Sequence, residues 1–186
     1  MNIDPALDRI LKDSLRNALA TDSTGADWEI STVSSGNVAK TAQFSMLTIS
    51  SYQFKAITLL HFNRNTELQQ YVKECLNIQS EDLPDNRFYD YINELANNFS
   101  GLLKRILFEL HNSLGMSTPN ILDGCCSEFM NANGEAGKAY IKAKSHGKTL
   151  FYASFYLFTT TDLDLSPIAN WQPHQDETVS GELEFF

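Results

Sequence analysis

The strongest constraint on the fold is a long run of helical periodicity in the middle of the chain, from about Arg87 to Leu114. At about 100° per residue, Phe88, Ile92, Leu95, Phe99, Leu102, Leu103, Ile106 and Leu110 fall in a sector roughly 100° wide. A stripe of that width must be buried against another layer, so this helix lies on something broad and apolar rather than in solvent. Gly115 follows it and reads as the glycine that ends the helix.

The remaining segments supply that layer. Asp4-Pro5 reads as an N-cap followed by proline at the first helical position, and Leu7, Ile10, Leu11, Leu15, Ala18 and Leu19 recur at helical spacing. A first helix is expected from about Pro5 to Ala20, then a polar loop, Thr21 to Asp27. From Trp28 the period changes to two. Trp28 and Ile30 alternate with polar neighbours, and Val38 to Ile49 and Tyr52 to Phe62 read as strands meeting in a hairpin at Ser50-Ser51. Thr66 opens a short helix whose buried stripe is Leu68, Tyr71, Val72, Cys75 and Leu76. A polar linker, Gln79 to Asp85, leads into the long helix. After it, Thr118 to Leu122 reads as a short extended piece and Ser127 to Gly137 as loop. Lys138 to Lys144 and Thr149 to Thr160 read as a second hairpin turning at His146-Gly147. The order predicts an α+β fold, an α/β sandwich with a largely antiparallel sheet and helices packed on it. One domain is expected over residues 1–186, with a core over about 5–160 and an acidic C-terminal extension, 161–186, in which Thr178 to Phe186 forms a last strand.

Composition narrows the function. A formal net charge of −9 repels phosphate backbones and anionic lipid, which argues against nucleic acid and membrane partners. Three cysteines, two of them adjacent at Cys125-Cys126, fit neither a disulfide framework nor a zinc knuckle, and the four histidines are scattered. No metal site is expected, and a reducing, cytoplasmic setting fits best. No apolar run reaches membrane-spanning length.

Opposite the apolar stripe of the long helix, Asp90, Glu94, Asn97 and Gly101 lie within roughly 60° of one another. Any surface helix shows polar residues there. Two details exceed that. Asp90, Asn93, Asn97 and Asn98 crowd two turns, although Asp and Asn compete for backbone hydrogen bonds and are poor mid-helix residues. Gly101 costs about 1 kcal/mol relative to alanine, and on an exposed face it lets a partner approach the backbone.

The run Asp90-Tyr91-Ile92-Asn93-Glu94-Leu95-Ala96-Asn97-Asn98-Phe99-Ser100-Gly101 resembles the signature of the CheC/CheX/FliY chemotaxis phosphatases. That signature is Asp or Ser, three residues, Glu, two residues, Asn, on a long helix. Asp90, Glu94 and Asn97 match it position by position, and Gly101 stands where members often have glycine. The short helix before it, the proline-containing strand start at Thr118-Pro119 and the flanking strand pairs extend the likeness over roughly Val38 to Thr160. The signature occurs once, as in CheX, not twice as in CheC. The tail after Thr161 and Cys125-Cys126 have no counterpart in the pattern.

What the resemblance implies is a phosphatase hydrolysing the aspartyl phosphate of a CheY-like response regulator. Asn97 orients the attacking water, Glu94 docks on the regulator's lysine, and Asp90 and Gly101 contact the partner. Mg²⁺ belongs to the regulator, and this chain binds no cofactor of its own. It also implies a homodimer joined through sheet edges. The alternative is a non-catalytic interaction or scaffold domain of the same fold, similar to the middle domains of flagellar switch proteins. Cys125 and Cys126 are read as structural and inert.

Overall fold

The structure is a computed structural model and describes residues 4–21, 25–131, 135–160 and 163–171. Its elements in chain order are α1 (Asp4–Ala20), β1 (Trp28–Thr32), α2 (Ser35–Val38), β2 (Gln43–Ser50), β3 (Phe54–Phe62), α3 (Thr66–Cys75), α4 (Asp85–Leu107), β4 (Gly115–Met116) and β5 (Asn120–Asp123). A 3-10 helix (Gly124–Asn131), β6 (Gly137–Ser145), β7 (Lys148–Thr159) and α5 (Ser166–Asn170) complete them. The strands form one seven-stranded sheet in the order β1-β6-β7-β3-β2-β4, with β5 on the same edge of β2 as β4. Every pairing is antiparallel. The predicted α+β class and antiparallel sheet are therefore observed.

Helices α1, α3 and α4 cover one face of the sheet. Leu7, Ile10, Leu11, Leu15, Ala18 and Leu19 of α1 are all buried, as their spacing predicts. They meet Leu47 and Ile49 of β2, Phe54, Ala56, Leu60 and Phe62 of β3, and Phe151, Ala153, Phe155 and Leu157 of β7 in one main core. The opposite face carries a smaller core of Val38, Phe44, Leu59, Tyr140 and Tyr156, with Val33, Leu122 and Cys126 laid over it. Because both faces of the central strands are covered, β3 is buried at nearly every position rather than alternating.

Five sequence expectations are corrected. The long helix ends at Leu107, seven residues before Leu114. Its apolar period runs on because Leu110 and Leu114 still pack on the main core after the backbone has tightened into i→i+3 turns at Glu109 and Leu110. Gly115 does not end the helix; it pairs with Ser50 as part of β4. The strand expected from Val38 begins at Gln43, because Ser35–Val38 forms a helical turn that drops Val38 into the second core. The first hairpin turns at Ser51–Gln53, where the Ser51 hydroxyl accepts from the amides of Gln53 and Phe54, so Tyr52 lies in the turn and not in a strand. The stretch expected as loop from Ser127 begins inside the 3-10 helix Gly124–Asn131. There Gly124 has a close-packing role: a Cβ would lie 2.0 Å from the Thr41 carbonyl oxygen. The strand expected over Thr178–Phe186 lies outside the described residues.

Candidate functional site on helix α4

Where a helix points its outer face depends on what holds its inner one. Apolar contacts alone allow a helix to roll or slide, since dispersion and burial are non-directional. Along α4, hydrogen bonds and a cation fix that freedom. At the N-terminal end, where Pro84 gives no side-chain cap, Arg64 bonds to Asp85 at 2.6 Å and lies over the rings of Phe88 and Tyr89, 5.0 and 5.7 Å from their centroids. The guanidinium hydrogen bond holds the Asp85 carboxyl below its ordinary range, and a carboxylate in the first turn also suits the helix dipole. Tyr89 then donates to the Gln43 side chain (3.2 Å), and Ser45 donates to Asn93 Oδ1 (3.0 Å). Ser100 and Thr58, both almost fully buried, share a hydroxyl hydrogen bond of 2.7 Å. Residues 89, 93 and 100 lie on one flank of α4, so strands β2 and β3 grip it along several turns.

This grip sets the outer face. Asp90 and Glu94 are exposed, and Asn97 and Gly101 are half-exposed. The structure places all four on one line, about 16 Å from Asp90 to Gly101 at about 1.5 Å per residue. The side chains of Asp90, Glu94 and Asn97 make no hydrogen bond or ion pair with another described residue. A Cβ on Gly101 would meet nothing within 4 Å, so this glycine relieves no internal contact. The face is convex. A cleft of about 380 Å³ lies elsewhere, between α3 and the β6–β7 turn, lined by Glu67, Tyr71, His146 and Lys148 among others. The α4 face therefore suits a macromolecular surface better than a small molecule enclosed in a pocket.

Sequence reasoning grouped Asn93 with the surface amides, but its bond to Ser45 makes it part of the grip. It missed Ser45, Thr58 and Ser100 altogether. Their one legible signal was a hydroxyl residue within an apolar segment, as at Thr58 in Ala56-Ile57-Thr58-Leu59-Leu60. Among the described residues no group of three or more His, Cys, Asp or Glu could hold a metal ion, and no helix is long and apolar enough to cross a membrane. Cys125 is exposed, and Cys126 packs on the second core, where burial raises its thiol pKa and favours the unreactive protonated form. Cys75 accepts from the Tyr91 hydroxyl at 3.5 Å and packs on the main core.

No protein-family model matches this chain, and no curated protein does. Solved structures do. A CheC-like superfamily protein from Shewanella sp. PV-4 superposes with a TM-score of 0.61 at 19% identity, covering 84% of this chain and 99% of that one. The chemotaxis protein CheX from Desulfovibrio desulfuricans gives a TM-score of 0.61 at 18% identity, covering 80% and 97%. A chain of the CheX–CheY–BeF3–Mg²⁺ complex from Borrelia burgdorferi gives 0.55 at 11% identity, covering 85% and 98%. The chain thus has the fold of the CheC/CheX chemotaxis proteins.

Proposed function

We propose that this chain is a CheX-like member of the CheC/CheX/FliY superfamily that binds a phosphorylated CheY-like response regulator and hydrolyses its aspartyl phosphate. The observation that carries the reading is the line Asp90–Glu94–Asn97, outward-facing and without side-chain partners among the described residues, on a helix held against roll, within a CheC/CheX fold. One of the similar structures is of CheX in complex with CheY, BeF3 and Mg²⁺.

The chemistry asks little of the phosphatase. An aspartyl phosphate is an activated mixed anhydride, and the regulator brings its own Mg²⁺ and lysine. Water attacks phosphorus, the P–O bond to the aspartyl carboxylate breaks, that carboxylate leaves, and the water proton passes to phosphate oxygens and solvent. What remains is to hold one water in line, which is catalysis by orientation. The Asn97 amide can donate to and accept from water without titrating. Glu94, one turn earlier, pairs with the regulator's lysine by a charge-assisted bond and fixes the docked register. Asp90 lies a further turn toward the N-terminus and supports the same contact. Neither carboxylate acts as a base.

The test is a phosphate-release screen of the purified chain against response regulators from the same organism, each phosphorylated in the presence of Mg²⁺. Faster release with at least one of them is expected. No acceleration with any, alongside tight binding to one, leaves the non-catalytic interaction domain as the correct reading.

A further inference from the structure

The line of outward positions on α4 does not stop at Gly101. Continuing the same spacing of four and three gives Asp90, Glu94, Asn97, Gly101, Lys104 and Phe108, all within about 80° of one another. Phe108 closes the helix as its C-cap in the right-handed helical conformation, so it stays in phase with the turns before it. Its side chain is 51% exposed. Tyr52, in the β2–β3 turn, is 77% exposed, and these are the exposed large hydrophobic residues of the described chain. His111 links the segments that carry them. The Tyr52 ring stands edge-on to His111 at 4.8 Å, and the His111 amide donates to the Phe108 carbonyl oxygen at 3.2 Å.

Charge runs along this seam in order: two carboxylates, an amide, a glycine, an ammonium and then aromatic rings. A protein as acidic as this one gains nothing in solubility from showing two aromatic rings beside a lysine, and aromatic residues are favoured at protein interfaces. Gly101 leaves a gap between the amide and the basic, aromatic end, across which a partner backbone can lie flat against the helix.

We infer that Lys104, Phe108 and Tyr52 form a second docking contact for the same response regulator, seating an apolar patch that carries a carboxylate. This contact rests on the regulator reading and adds to it. Its Phe108 lies about 16 Å from Asn97, eleven residues along the helix. Two anchors on one rigid line define an orientation, where Glu94 alone would leave the regulator free to swing. The second anchor acts on docking and touches no reacting atom, so it changes affinity and not the rate of the bound complex.

The experiment uses the full chain and a CheY-like regulator activated with beryllofluoride and Mg²⁺, with affinity measured by calorimetry and dephosphorylation of the phosphorylated form measured to saturation. Phe108→Ser and Tyr52→Ser are each expected to weaken binding about tenfold, while the saturating rate stays within about twofold. Phe108→Tyr restores affinity, and Lys104→Glu weakens binding most at low salt. Circular dichroism confirms that each variant is folded. In the wild type, nuclear magnetic resonance signals of Tyr52 and His111 shift on adding regulator. Unchanged affinity in both serine variants overturns the inference, as does a lowered saturating rate at unchanged affinity. A serine variant that alters sedimentation of the free chain and leaves regulator affinity intact assigns the patch to a second copy of this chain instead. Wild type that binds an activated regulator through this patch without hydrolysis keeps the second anchor and removes the phosphatase reading. Wild type that binds none removes both.

Discussion

Mild acid should destabilise this fold through one residue, His61. It is 1% exposed on the second face of the sheet, and burial lowers its pKa from 6.5 to about 3. Its tautomer follows from counting protons. The Thr41 hydroxyl donates its proton to the Val38 carbonyl at 2.7 Å, so it accepts from His61 Nδ1–H at 3.2 Å. His61 Nε2 is then an acceptor, and the Ser154 hydroxyl donates to it at 2.8 Å. A proton added at Nε2 meets a donor already pointing at it, in a site where no carboxylate of the described residues balances the charge. The native state therefore keeps His61 neutral, while the unfolded chain takes up a proton below about pH 6.5. Between those two pKa values the unfolded state binds more protons, so stability falls as pH falls. At pH 5 the loss is about 2 kcal/mol relative to pH 8, from about 1.4 kcal/mol for each of the 1.5 units below 6.5. Asp85 and Glu135 have lowered pKa values from hydrogen bonds to Arg64 and Lys138, and their stabilisation is lost only at lower pH, through and below the ordinary carboxylate range. The window from pH 7 to 5 thus isolates histidine. Urea unfolding at pH 8, 7, 6 and 5, with wild type and His61→Gln, measures it. The wild-type curve should fall by about 2 kcal/mol more than the variant curve. Parallel curves would refute the burial and tautomer argument.

Gly101→Ala should raise stability by about 0.5–1 kcal/mol, since the new methyl meets open space and alanine is the better helix former, while Gly101→Trp should block regulator binding without unfolding the chain. Thermal unfolding and a binding titration read the two effects. Thr58→Val strands the buried Ser100 hydroxyl and should cost about 1–3 kcal/mol; adding Ser100→Ala should recover much of that, which a double-mutant cycle in urea detects. Replacing Cys125 and Cys126 together by serine should leave regulator dephosphorylation within a few-fold, because one thiol is solvent-facing and the other packs on the second core, away from the α4 face. Complete loss of activity would reopen a redox or metal role for the pair.

The parts of this molecule that could be read from sequence are those where one physical demand acts alone. Helix α1 is legible because its apolar residues face one layer and its start carries Asp4-Pro5. The turn at His146-Gly147 is legible because both residues adopt positive φ, which strand residues avoid. Legibility fails where two demands overlap. The end of α4 is hidden because Leu110 and Leu114 serve the core from non-helical backbone. Val38 reads as the start of a strand, although it closes the helical turn Ser35–Val38, because it belongs to a second core that a one-sided sheet would lack. At the site, the outward line was visible as a spacing of four and three. What fixes its direction was not, since Ser45, Thr58 and Arg64 come from strands and loops far along the chain, and only the fold brings them to α4.

The central claim is that Asn97 orients the attacking water on a docked regulator. Asn97→Ala removes a contact made in the transition state more than one made in the docked ground state. The direct measurement is the decay of a phosphorylated CheY-like regulator with wild type and Asn97→Ala, beside their affinities for the beryllofluoride-activated form. Glu94→Lys serves as the contrasting variant. The account predicts that Asn97→Ala abolishes accelerated decay and leaves affinity within a few-fold, whereas Glu94→Lys places like charge against the regulator's lysine and weakens binding itself. If Asn97→Ala accelerates decay as well as wild type does, or loses binding as fully as Glu94→Lys, the claim is contradicted.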